Sequence, residues 1–402
     1  MQTRTTVKDV RRANRSALLR PLVLNGPINR VVLGELTGLS SGSVTNVVAD
    51  LLAEGLIVEA GTEESDGGRP RVVLQPNERF VSIGVDVGET AICIEAFDLL
   101  MRVVGKAVVD IHPRDEDPER VIAAVVSGVR ELIASSEVAG RTILGVGVGV
   151  PGVVEQGPEG VHAPGLGWQN VALRPALEQE VKVPVLVDNG AKTLGQAEMW
   201  FGAGRGATNA IVVLLGTGVG SAIFTNGSLY RGAASSAGEW GHMCIAVGGR
   251  LCRCGARGCL EAYVGAEPLL TEWRERNPTV RLPDRYDQEE WIGKLVEAVG
   301  SDPVAAELLH ETAVYLGVGV ANLVNLFNPE RIIIGGWLGL RAGPLVLEEV
   351  RSVLAAQALA YPAMSTVVEL GVLGNDAVAL GASTLVVSQL IDSGGELTKS
   401  LT

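Results

Sequence analysis

At 402 residues the chain is long enough for two or three domains and a large core, 47% of it hydrophobic and 20% charged. It has no purely apolar run of eighteen residues, and its basic start is followed by neither an apolar run nor a cleavage site, which argues against a membrane or secreted protein and makes the cytoplasm the expected compartment. A net charge of −13 argues against nucleic-acid binding by the whole chain, yet residues 1–30 carry seven basic side chains against Asp9 alone, residues 1–80 come to +1, and the remaining 322 hold −14. Such asymmetry predicts a basic module joined to an acidic body.

The first eighty residues read as that module. Apolar positions between Asn14 and Leu24 are partly helical in spacing, and Asn25-Gly26-Pro27 stops the helix. Asn29 is placed to cap a helix through Thr37. Gly38-Leu39-Ser40 makes a tight turn with Leu39 as an apolar plug. A second helix starts near Ser41, with Val44, Val47, Val48, Leu51 and Leu52 on one face, and ends at Gly55. Two short helices around a Gly-containing turn predict a helix-turn-helix. Ser41, Ser43, Thr45 and Asn46 at the open start of the second helix suit base edges and phosphates. LIVEAG and VVLQP then alternate like two strands around TEESDGGRPR, a wing whose Arg69 and Arg71 are placed for a minor groove or a phosphate. Arg11, Arg12, Arg15 and Arg30 complete the expected DNA-contacting set. The competing reading is a helical protein-interaction module with the arginines on a solvated surface.

From residue 80 the pattern changes to an α/β body. FVSIGVDVGETAICIEAFDLLMRVVGKAVVD reads as three strands joined by turns, and further strands are expected at ILGVGVGVPGVV, VPVLVDNG, NAIVVLLGTGVGSAIFTNG and RIIIGGWLG. Helices are expected at PERVIAAVVSGVRELIASS, NGAKTLGQAEMWFG, DPVAAELLHETAVYLGVGVANLVNLF and NDAVALGASTLVVSQLI. The turns Asp86-Val87-Gly88-Glu89-Thr90 and Gly216-Thr217-Gly218-Val219-Gly220 present backbone N–H groups of the kind that cradle phosphates, although tight hairpins use glycine too. With Gly335-Gly336 after a later strand, they resemble the nucleotide clamp of the sugar-kinase/actin/Hsp70 superfamily.

The stretch GHMCIAVGGRLCRCGARGCLEAY holds four of the five cysteines. A redox switch, a DNA-reading finger and a structural clasp are the three readings open to it. Cys252, Cys254 and Cys259 follow His242 at +10, +12 and +17, and one imidazole with three thiolates suits a closed tetrahedral zinc site. Cys93 and Cys244 fit strands as buried small hydrophobes, and His112, His162 and His310 lack partner spacing, as surface or core histidines do. AGEWGHMCI, CRCGARGCLEAY, VGVPGVV, LLGTGVGSAIF and LVNLFNPERIIIGG together resemble the ROK family (repressors, open reading frames, kinases) over nearly the whole chain.

That resemblance implies an N-terminal winged helix-turn-helix over 1–78, followed by a two-lobed actin-like (ribonuclease H-like) body. Its small lobe would be 79–188 with 376–393; its large lobe, 189–375, would carry the zinc motif and a dimerisation surface. It implies a structural zinc clasp on His242, Cys252, Cys254 and Cys259, and Asn189, Glu239, His242 and Glu261 facing a carbohydrate. Trp168 is placed either as a cleft wall or in the core.

In kinases of the family an Asp after an Asn takes the sugar proton; here Val187-Asp188-Asn189-Gly190-Ala191-Lys192 puts Gly190 at that position. Positioned bases contribute about 10²–10⁴-fold, which glycine forfeits. Asp188, read as two residues upstream on the same strand, would stand about 6–7 Å away. Glu89 replaces the second glycine of the first phosphate turn, Ser221-Ala222 follow the second turn where the kinases often have glycine, and Gly165 stands where relatives often carry Asn. The expectation is a non-enzymatic, sugar-responsive regulator, most simply a repressor, that binds operator DNA as a homodimer or dimer of dimers. The alternatives are an active sugar kinase with a regulatory head and a regulator gated by a protein partner.

Overall fold

The computed structural model describes residues 6–64, 70–89, 91–111, 117–155, 160–283 and 287–397. The chain opens with α1 (Val7–Asn25), β1 (Ile28–Asn29), α2 (Arg30–Thr37), α3 (Ser41–Ala53), β2 (Ile57–Glu63) and β3 (Arg71–Pro76). Local chemistry sets these boundaries. Thr6 and Asp9 close a reciprocal capping box at α1, the Asn29 side chain accepts from the amides of Val31 and Val32, Gly38 takes φ +68° to end α2, and Ser40 caps α3. The first helix begins seven residues before Asn14, so Lys8, Arg11 and Arg12 ride on it rather than on a loose arm. Strands β2 and β3 pair antiparallel, and β1 adds to the free edge of β3. Arg69 lies outside the described residues.

The body contains two five-stranded sheets. The first is built from β4 (Phe80–Val87), β5 (Ala91–Asp98), β6 (Val103–Asp110), β7 (Thr142–Val150) and β11 (Val185–Asn189), with α4 (Pro118–Ala134) after β6. Between β7 and β11 lie β8 (Val153–Val154), β9 (Val161–Ala163), β10 (Trp168–Val171) and α5 (Leu173–Val181). Then come α6 (Gly190–Phe201), β12 (Ala210–Leu215), β13 (Val219–Thr225) and β14 (Ser228–Tyr230). A helical stretch follows: α7 (Glu261–Val264), α8 (Ala266–Arg276), α9 (Gln288–Ala298) and α10 (Pro303–Phe327). The chain closes with β15 (Arg331–Gly335), α11 (Trp337–Gln357), α12 (Ala360–Ser365), β16 (Val367–Leu370) and α13 (Ala377–Asp392).

The two sheets repeat one topology. In each, three consecutive strands form an antiparallel meander and two later strands join parallel on the side of the first: β6-β5-β4-β7-β11 and β14-β13-β12-β15-β16. Helix α13 lies on β4 and β7, α6 lies on β12 and β13, and the two helices pack on each other between the sheets. Glycine makes the closest of these approaches possible. A Cβ on Gly84 or Gly147 would stand 1.9 or 1.8 Å from a carbonyl oxygen of α13. The 25-residue α10 is long and apolar enough to cross a membrane, but Leu308, Leu316, Val320 and Val324 along it are buried in the core of the second sheet.

Head and body share one apolar core. Leu18, Leu19, Leu22, Leu51 and Leu56 of the head cluster with Leu144, Trp200, Val387, Leu390 and Ile391 of the body. Arg20 stands over the Trp200 ring at 5.3 Å, and Arg205 donates to the Asn25 side chain at 2.9 Å. Arg15, expected at DNA, is 7% exposed; it donates bidentately to Glu54 and through Nε to the Gly394 carbonyl. Arg15 is therefore not placed at DNA: a guanidinium buried with that many acceptors ties the head to the turn that follows α13. Of the two placements open to Trp168, the structure gives the core of the first sheet. One smaller expectation changes as well: Cys244 is exposed rather than buried because it lies in a loop bridge opposite Cys259.

Candidate metal centre and ligand cleft

The cysteine-rich loop folds over the second sheet. His242 ends a short 3-10 turn, Trp240–His242, that is fixed by Trp240: its indole donates to the Gly319 carbonyl at 3.2 Å and fills the space that α10 leaves by having glycine there. The Tyr263 hydroxyl accepts from the Arg250 amide at 2.9 Å, and the Tyr263 and Tyr315 rings lie 4.2 Å apart. These contacts anchor both ends of the loop.

Between the anchors, ligand atoms of His242, Cys252, Cys254 and Cys259 all lie within 4.8 Å of one another. The Cys252 sulfur is 3.7 Å from His242 Nδ1, and the Cys254 and Cys259 sulfurs are 3.8 Å apart. A tetrahedral zinc with bonds of about 2.3 Å to sulfur has sulfur–sulfur edges of about 3.8 Å, so the spacing fits that ion. Burial pushes the Cys252 thiol up to about 12 and raises Cys259 as well, so a cation at the centre is what would hold them as thiolates. The Glu261 carboxylate lies 3.7 Å from the Cys252 sulfur.

The four residues expected at a sugar divide into two pairs. Glu239 and His242 bracket the 3-10 turn and are half-buried. The Glu239 carboxylate has no hydrogen-bond partner among the described residues; burial raises its pKa, against the pull of His242 and Lys192. Asn189 and Glu261 are already engaged. Asn189 caps α6, accepting from the Lys192 amide at 3.1 Å and donating to the Gly152 carbonyl at 2.6 Å. Glu261 is 4% exposed and accepts from the Val219 amide at 2.9 Å and from Arg253 Nε at 2.9 Å. A cleft of about 570 Å³ opens onto Thr217, Arg253, Glu261 and Glu267.

The reacting position also differs from the strand picture. Asp188 lies on β11, which ends at Asn189, and Gly190 is the first residue of α6, so the two are not neighbours on one strand face. Asp188 is 3% exposed and held bidentately by Arg231 at 3.0 and 2.5 Å, a fixed counterion rather than a free base. A Cβ on Gly190 would find its nearest neighbour at 3.7 Å, so packing does not require glycine there.

Sequence reasoning missed three cations of this region: Arg231, Lys192 and Arg253. Lys192, 2% exposed, donates to the Ser235 carbonyl, and burial lowers its pKa against the pull of Asp188. Only Lys192 gave a signal, as the basic residue that closes the Val187–Lys192 motif; Arg231 and Arg253 gave none. Elsewhere, His162 pairs with Glu155 at 3.2 Å and His310 is exposed, whereas His112 lies outside the described residues.

At the end of β4, Asp86 has its pKa raised to about 7, first by burial and then by Asp376 and Glu95, which share Lys106. Between its ordinary value of 3.8 and about 7 the folded chain holds a proton the unfolded chain has released, so stability falls as pH rises through that window and is flat above it. Asp86→Asn is therefore expected to raise the melting temperature more at pH 8 than at pH 4. An equal shift at both values, measured by calorimetry, contradicts this.

On the head, Ser41, Thr45 and Asn46 are exposed at the start of α3 and Ser43 is half-buried. Arg12 and Arg71 are exposed; Arg11 pairs with Asp50 at 2.8 Å and Arg30 with Glu59 at 3.8 Å.

Residues 82–389 match the sequence pattern of the ROK family. The xylose repressor of Bacillus spizizenii is 31% identical over 388 residues, covering 95% of this chain and 97% of its own. The glucokinase of Halalkalibacterium halodurans is 34% identical over 315 residues, covering 76% of this chain and 95% of its own. A ROK family transcriptional regulator described as a homolog of the E. coli MLC protein superposes with a TM-score of 0.78 at 24% identity, covering 96% of this chain and 98% of its own.

Proposed function

This chain belongs to the ROK family, and on that premise we infer that it is a sugar-responsive transcriptional repressor. The observation that carries the inference is collinearity: the likeness to the repressor runs through the head as well as the body, whereas the glucokinase likeness covers the smaller share. Residues 1–78 are taken as the winged head, with the polar start of α3, Arg12 and Arg71 against operator DNA. Residues 79–188 with 376–393 form the small lobe, and 189–375 the large lobe with the zinc clasp and the dimerisation surface. Two-fold symmetric heads then read half-sites about 34–36 Å apart or multiples of that.

The effector is a carbohydrate in the cleft between the lobes. Glu239 and His242 offer it their open polar atoms, and Glu261 joins once released from Arg253. D-xylose is the first sugar to test, given the relatives named for it. Catalysis is not part of this reading: Gly190 brings no proton acceptor, Asp188 is neutralised by Arg231, and Glu89 stands in the first phosphate turn. A sugar changes DNA binding only through its different affinity for the two states of the protein.

The test measures operator affinity by fluorescence anisotropy on selected duplexes, with and without D-xylose and D-glucose. An effective sugar is expected to weaken the complex by about 5–150-fold, the usual range of coupling between two sites. Sugar-dependent ATP turnover at an ordinary kinase rate, about 1–10³ per second, would replace the repressor reading by the kinase one.

A further inference from the structure

The two Gly-rich turns of the body face each other across a single side chain, Arg253. Its Nη1 donates to both oxygens of Glu89, at 2.7 and 2.9 Å, in the turn after β4. Its Nε and Nη2 donate to Glu261, at 2.9 and 3.5 Å. Glu89 belongs to the lobe of the first sheet. Arg253 and Glu261 belong to the lobe of the second. The guanidinium therefore spans the cleft, and its partners are largely out of water: the Glu89 and Glu261 side chains are 14% and 5% exposed.

The walls of this slot are glycine on both sides. A Cβ on Gly165 would stand 3.0 Å from Nη1, and one on Gly218 would stand 2.6 Å from Nη2. A side chain at Gly218 would make Arg253 shift, and one at Gly165 would press tightly on it. The substitutions that looked unrelated along the chain, Glu89 in a phosphate turn and Gly165 where relatives carry a larger residue, are thus parts of one arrangement. Glu89 supplies the anion, Gly165 supplies the room, and Arg253 fills the space between turns shaped to cradle phosphates.

We propose that Arg253 is an interlobe latch: its pairing with Glu89 ties the lobes together in the effector-free chain and takes up the space a nucleotide would need. The effector acts on this tie. A sugar whose hydroxyls claim Glu261 takes away one of the two carboxylates that aim the guanidinium, and the tie to Glu89 weakens with it. The latch stands on the contacts themselves; the exchange at Glu261 rests on the sugar reading given above.

The test is a double-mutant cycle on the full-length, metal-loaded chain without any sugar. Glu89→Gln, Arg253→Met and the pair are compared with the unmodified protein by small-angle X-ray scattering and by hydrogen exchange at cleft-facing amides such as Val219. Each single change is expected to shift the closed-to-open ratio about tenfold, the size typical of losing a hydrogen-bonded charge pair. The double change is expected to add little, because both remove one interaction. Unchanged scattering and exchange in Glu89→Gln, or full additivity in the pair, overturns the latch. Glu89→Gln touches no residue of the cysteine cluster, so its result is free of metal loss. Titration with D-xylose then addresses the other claim. Opening without any change in sugar affinity leaves the latch in place and removes the sugar from Glu261.

Discussion

Cys259→Ala is expected to abolish metal binding at the proposed His242–Cys252–Cys254–Cys259 site and cost about 4 kcal/mol or more, among the largest losses a single substitution produces. The Cys259 side chain is 1% exposed, within the apolar core of the second sheet, and its sulfur is 3.8 Å from that of Cys254. Removing it takes away one of four ligands and opens a hole beneath the loop. At its tips the loop gains little from hydrophobic burial, because Val247 is fully exposed and Leu251 is 64% exposed. Because Glu261 follows Cys259 by two residues and Arg253 lies between two ligands, the loss should reach the cleft. Metal content by elemental analysis should fall from one zinc per chain to none, and sugar should no longer alter operator affinity. Retained zinc with an unshifted melting temperature would refute the assignment. Chelation of the unmodified chain should reproduce the effect, and acidification should favour metal release because the ligands must be deprotonated.

Trp200→Ala is the second large effect. Trp200 is 7% exposed at the C-terminal end of α6, in the core shared by head and body, under Arg20 and edge-on to Phe201. Truncating a buried tryptophan to alanine costs about 3–5 kcal/mol. The position matters as much as the size. The N-terminal end of α6 is capped by Asn189, a residue proposed to face the sugar, and twelve residues, about 18 Å of helix, carry it to the head. A rigid element with one end at each site can bias both, so the variant should bind operator DNA yet respond weakly to sugar. Calorimetry gives the stability loss and anisotropy with sugar gives the coupling. Full coupling in a destabilised Trp200→Ala chain would exclude α6 as the connection.

The mutual dependence of these two effects is itself informative. The cysteine-rich loop lines the cleft through Cys252, Arg253 and Glu261, α6 starts at the Asn189 cap, and Arg253 pairs with Glu89. Among the described residues, change at any of the three has a route to the head through the shared core around Trp200 and along α13, where α1 touches the body.

What the sequence determined by itself was whatever local chemistry decides. Asn29, Gly38 and Ser40 set helix ends through their own side chains or a left-handed φ, so the helix-turn-helix could be read directly. The spacing of His242, Cys252, Cys254 and Cys259 names a tetrahedral donor set before any coordinates, and Gly190 removes an acceptor wherever it lies. Tertiary structure decided the pairings between distant residues. Arg15 meets Gly394 across 379 positions and Arg253 meets Glu89 across 164, and in the sequence each looks like an ordinary surface charge. Whether a guanidinium faces water, DNA or a buried carboxylate depends on which segments the fold brings beside it. Asn189 makes the same point at short range: its amide is spent on a helix cap and on Gly152, and only the folded chain shows where those two groups stand.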